Sequence, residues 1–138
     1  MNLSTTEPRL LWSKEKKTHM LTLWEKSRSL FGLLSELTET VGRPMPLGIR
    51  ESLLFNANVV ADRVADAANT DSYEEFYSSV HDVMAMLKMI VEELYLAKRW
   101  NYIDRISFQN GYNSCKTLLK NIREYEKYGQ DLAEFVAH

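Results

Sequence analysis

The sequence offers a single cysteine, no long apolar run, no excess of positive charge and no cluster of metal-binding side chains. Each scarcity closes off a class of protein. One thiol, Cys115, forms no internal disulfide, so a disulfide-stapled secreted scaffold is excluded and a reducing, cytoplasmic setting is expected. The uncharged stretch Ser29 to Ser35 is short, and Lys88 interrupts Val83 to Val91; neither approaches the roughly 20 residues of a membrane span. The N-terminus lacks a basic segment followed by an apolar one, so secretion is not expected. With a net charge of −2 the chain lacks the cationic excess of a dedicated nucleic-acid binder, although a local basic patch stays open. The di-metal carboxylate chemistry of some bundles needs Glu-x-x-His steps, and none occurs; His19, His81 and His138 lie far apart in the chain. One cysteine also argues against structural zinc. Glycine-rich phosphate loops and nucleophile elbows are missing too, so no catalytic residue, cofactor, metal or small-molecule substrate is expected.

What the chain does contain is helical periodicity. Phe76, Val80, Val83, Leu87, Ile90, Leu94 and Ala97 recur at alternating steps of four and three, the spacing of a helix packed lengthwise on others. Helix 1 is predicted from about Lys14, capped by Ser13, to Val41. Its seam is Leu23, Ser27, Leu30, Leu34, Leu37 and Val41, widened by Trp24 and Phe31. The prolines of Gly42 to Gly48 stop it. Helix 2, about Leu47 to Ala68, buries Ile49, Leu53, Ala57, Val60, Val64, Ala67 and Ala68. Ser72 and Glu75 form a predicted capping box opening helix 3, which runs to about Lys98. Helix 4, about Ile103 to Tyr128, carries Phe108, Gly111, Cys115, Leu118, Ile122 and Tyr125 on its seam, and Gly129 is placed to end it. Short connections force antiparallel neighbours. The expected fold is therefore all-α: a single-domain, up-down-up-down antiparallel four-helix bundle over residues 13–128, with a flexible arm at 1–12 and a tail at 129–138. On that frame Cys115 is a core residue and His81 a surface or boundary one.

Two surface features invite a binding role. Met84, Met86 and Met89 join Val83, Leu87, Ile90 and Val91 to make helix 3 apolar around most of its circumference. A wide core stripe explains this; so does a second face buried against another subunit, because a broad wet apolar surface is a liability. Lys116, Lys120, Arg123 and Lys127 step along helix 4, and Arg9, Lys14, Lys16, Lys17, Lys26 and Arg28 gather at the start of helix 1, at the same end of the bundle. Asp62, Asp66, Asp71, Glu74, Glu75 and Asp82 cluster there on helices 2 and 3. The cations fit a solvated surface with local pairs such as Glu124 to Lys120 or Lys127, a head-to-tail ring joining basic to acidic flanks, or phosphate contacts by Lys14, Lys16, Lys17, Lys116, Lys120, Arg123 and Lys127.

The segment LTLWEKSRSLFGLLSELTE, Leu21 to Glu39, resembles the opening helix of the small bacterial four-helix-bundle proteins encoded within 23S ribosomal RNA intervening sequences. Leu21, Trp24, Lys26, Leu30 and Leu37 carry the likeness. Ile49-Arg50, Val60-Ala61-Asp62 and Ser72 with Glu75-Phe76 resemble that family's Ile-Arg, Ile-Ala-Glu and Ser-x-x-Glu-Phe motifs. Val59 and Arg63 stand where the family has Asn and Gly. The related accessory variability proteins of diversity-generating retroelements are similar bundles. The resemblance implies an intracellular, non-enzymatic homopentamer, and in the retroelement branch a protein that engages a reverse transcriptase and its RNA.

Overall fold

A computed structural model describes residues 8–39 and 44–137, with side chains described for 15–39, 44–127 and 129–131. These residues form four α-helices and no strand: α1 (Pro8–Glu39), α2 (Leu47–Asn69), α3 (Tyr73–Arg99) and α4 (Arg105–Ala137). Each helix packs on the one before and the one after, and α4 closes on α1, so α1 lies diagonally across from α3 and α2 from α4. This is the antiparallel four-helix bundle that the spacing predicts.

The core is built from the seams. All seven α3 seam residues are buried, as are Leu23, Ser27, Leu30, Leu34 and Leu37 of α1. From α2 come Leu53, Ala57, Val60, Val64, Ala67 and Ala68; from α4, Cys115, Leu118, Ile122 and Tyr125. Ile49, Phe31 and Phe108 are half-buried against this cluster, whereas Trp24 stays exposed. Val41 lies outside the described residues. Gly111 is the close-approach point of α4: a Cβ there would sit 2.9 Å from Leu94 Cδ1 and 3.5 Å from Leu37 Cδ1.

The helix ends correct several sequence expectations. Helix α1 already includes residues 8–12 and runs through Ser13, so residues 8–12 are not an arm and Ser13 is not a cap. Helix α4 continues through Gly129 to Ala137. Gly129 is buried in helical geometry, and a glycine ends a helix only where it turns left-handed. The left-handed residue is instead Asn101, φ 64°, closing α3. Its amide donates to the Lys98 carbonyl at 3.0 Å and the Tyr102 amide to Ala97 at 2.8 Å, a Schellman pair. Asp104 then caps α4: its carboxylate accepts from the Ser107 amide at 2.7 Å. Bonds from the Ser107 amide, then its hydroxyl, hold the Asp104 carboxyl below its ordinary pKa.

The capping box at α3 gains a third member. Ser72 Oγ accepts from the Glu75 amide at 3.2 Å, as predicted. The return arm runs through Thr70, whose hydroxyl accepts from the Ser72 amide at 3.1 Å and donates to Glu75 Oε2 at 2.6 Å.

Candidate functional site

The α4 cations form one row. Lys116, Lys120, Arg123 and Lys127 are all exposed, and steps of four, three and four residues set them along about 16 Å of one helix face at 1.5 Å per residue. Lys116 lies over the Tyr112 ring, 5.8 Å from its centre. Among the described residues Lys120, Arg123 and Lys127 make no ion pair, and Glu124 bonds to neither lysine beside it. Glu124 lines the α1–α4 groove instead.

Of the α1 cations, Lys16 and Lys17 do not join that row, whereas Lys26 lines the groove between α1 and α4. Lys16 is 3% exposed, and its ammonium donates to the Thr70 carbonyl at the end of α2. It lies 5.9 Å from the centre of the Phe76 ring. Desolvation lowers its pKa, countered in part by Asp71. Lys16 is therefore a tether from α1 to the α2–α3 turn and no phosphate contact, which corrects the sequence expectation. The signal was available: Lys16, Met20, Leu23 and Ser27 continue the seam at steps of four, three and four, and all four are buried. Lys17 is exposed. Glu15, His19, Thr22 and Lys26 face α4 across a groove. Lys17, two residues from Glu15 and from His19, points about 200° away from that side. The Lys14 and Arg9 side chains lie outside the described residues.

The acidic flank is partly self-satisfied. Arg63 bridges Asp66 at 3.1 Å and Asp82 at 3.6 Å, joining α2 to α3. Asp62 and Glu74 remain exposed.

The three methionines point in three directions. Met84 and Met86 are half-buried against the bundle's own core. Met84 shares its face with His81 and Lys88, which look toward α4; His81 meets Glu126 at 3.0 Å. Met86 shares its face with Glu93, which looks toward α2 and accepts from Asn56 Nδ2 at 3.0 Å. Helix α3 is apolar over much of its girth because it has a neighbour on each side. Met84 and Met86 therefore do not form the outward face expected of them; Met89, 47% exposed, does.

Around Met89 lies an apolar surface that sequence reasoning missed. Relative to Glu93, Met89 is one turn back and Leu96 one turn on, so both share its face; Trp100 follows as the residue that caps α3. Leu96 is 48% exposed and Trp100 58%. Across the Asn56–Glu93 bond, α2 contributes Phe55, 66% exposed, and half-buried Val59. The steps of four, three and four from Ala85 through Met89 and Glu92 to Leu96 carried the α3 part of this signal, hidden by the stronger core seam.

Among the described residues no group of three or more His, Cys, Asp or Glu could hold a metal ion, and no helix is long and apolar enough to cross a membrane. Burial pushes the Cys115 thiol up to about 12, away from any nucleophilic role at neutral pH. The fold defines an all-α four-helix bundle with one basic face and one apolar face. No protein-family model, curated protein or solved structure matches the chain.

Proposed function

We propose that this chain is a non-catalytic binding scaffold that assembles from several copies of itself. The observation that carries the reading is the outward apolar set of Phe55 on α2, Met89 and Leu96 on α3, and Trp100 at the α3 cap. Four large side chains left wet on one face invite burial against another copy. The charges favour a head-to-tail contact: unpaired cations lie along α4, acids along α2 and α3, and a contact between unlike faces closes into a ring when the rotation allows. Five subunits is the number implied by the likeness to intervening-sequence proteins. Light scattering at micromolar concentration, with and without RNA, tests the reading: a mass several-fold above 16.1 kDa without RNA supports it, and a monomer removes it.

A second reading rests on the α4 row. Lys116, Lys120, Arg123 and Lys127, unneutralised by neighbouring acids, suit the phosphates of a nucleic acid, as in an accessory protein working beside a reverse transcriptase. Four such contacts to a single strand give a log–log salt slope of about −3. Replacing the four by Glu is expected to abolish RNA retention in a low-salt gel shift; unchanged retention defeats the reading.

A further inference from the structure

The groove between α3 and α4 has a chemistry that neither reading uses. It encloses about 310 Å³, at the lower end of the range for small-molecule sites. Leu87, Val91, Cys115 and Leu119 form its floor and walls, and Tyr112 closes one side. Beyond Tyr112 the groove ends at a ring cluster: Phe108 stacks on Tyr112 with centres 5.8 Å apart, Tyr95 meets Phe108 edge-on at 6.4 Å, and Lys98 caps Phe108 at 4.7 Å. Toward the other end of the bundle the His81–Glu126 bond crosses between the same two helices. The groove is thus apolar in its depth and bounded along its length, about 10 Å from Tyr112 to Leu119 at 1.5 Å per residue.

Its mouth is cationic. Lys88 stands on the α3 wall and Lys116 on the α4 wall. Glu92 is one turn from Lys88, a spacing that commonly pairs, yet among the described residues neither lysine forms an ion pair with it or with any other acid. Two ammonium groups thus flank an apolar slot with one carboxylate nearby, a net positive rim over a greasy floor.

We propose that the α3–α4 groove binds an amphipathic organic anion, a medium-chain acyl carboxylate, with its chain over Leu87, Val91 and Leu119 and its carboxylate between Lys88 and Lys116. Charge complementarity selects the anion, and the apolar floor of Leu87, Val91 and Leu119 selects an acyl chain. The sequence gives no hint of this, because Lys88 and Lys116 are far apart in the chain and come to line one groove only when α3 and α4 pack.

The test is calorimetric titration of the full chain with decanoate and with decanol, alongside the reaction rate of the single thiol, Cys115, with an aryl disulfide. Decanoate is expected to bind once per chain and more tightly than decanol, and to slow Cys115 modification. The double variant Lys88→Gln, Lys116→Gln changes only exposed side chains and is expected to fold. It should weaken decanoate by about tenfold or more while leaving decanol unchanged. A Val91→Trp variant fills the slot and should abolish both; circular dichroism reports whether it folds. No decanoate binding up to millimolar concentration overturns the proposal, as does binding indifferent to the two lysines. A lysine variant that loses self-association while binding decanoate as before assigns the groove to a second copy of the chain instead.

Discussion

Replacing Lys16 by Ala separates a structural lysine from a surface one. The side chain is 3% exposed, with its stem packed inside the bundle and its ammonium on the Thr70 carbonyl. Removing the three methylenes beyond Cβ forfeits about 2.4 kcal/mol at about 0.8 kcal/mol each. The lost hydrogen bond from a charged donor is worth about 1.5–3 kcal/mol net, and relief of the ammonium's burial takes back much of that. The net cost is about 3 kcal/mol, or about 12 °C in Tm for a chain of this size. Urea denaturation followed by circular dichroism measures it, with exposed Lys17→Ala as the control, expected within about 0.5 kcal/mol of wild type. Lys16→Met keeps the stem and should recover most of the loss. The pH dependence has a definite sign. Burial lowers the Lys16 pKa from its ordinary 10.5. Just below that value the unfolded chain therefore holds more protons at this group than the folded chain, and stability relative to Lys16→Met rises with pH there. A loss below about 0.5 kcal/mol for Lys16→Ala, or a gap to Lys16→Met that shrinks as pH rises through that window, refutes the buried-tether assignment.

The Cys115 thiol, raised from 9.0 to about 12, is expected to resist alkylation in the native chain at pH 8 and to react promptly in urea. Because the unfolded thiol ionises first, the same group lowers stability as pH climbs from about 9 toward 12, and Cys115→Ala should flatten that part of the pH–stability curve. Gly111→Ala should destabilise by about 1 kcal/mol despite alanine's helix propensity, since the new Cβ lands 2.9 Å from Leu94 Cδ1, which is fully buried. Leu94→Ala alone should cost about 2–5 kcal/mol. The double variant should cost less than the sum, and strict additivity in a chemical-denaturation cycle would show that the two do not touch.

The bundle was legible because burial follows spacing: every α3 seam residue from Phe76 to Ala97 is buried, and so is Cys115 on α4. Charge hid Lys16, which continues the α1 seam but reads as a surface cation until Thr70 and Phe76 come to meet it. The end of α3 was placed within a residue, whereas the start of α4 depends on Asp104 bonding Ser107, a local choice among several caps. The site was harder to read. Apolar residues around α3 show that something covers them, but not whether that is α2, α4 or another subunit. Met84 and Met86 went to the bundle's own neighbours, and Met89 did not. The likeness of the basic groups on α1 and α4 suggested one surface, which the rotation of Lys16 and Lys17 about the α1 axis divides.

Sedimentation velocity on the full chain, beside a Phe55→Ser, Leu96→Ser, Trp100→Ser variant, tests self-assembly through the α2–α3 face most directly. The wild type is expected to sediment at several times 16.1 kDa and the variant at 16.1 kDa with unchanged helicity. A wild-type monomer at micromolar concentration, or an assembly that survives all three replacements, contradicts it.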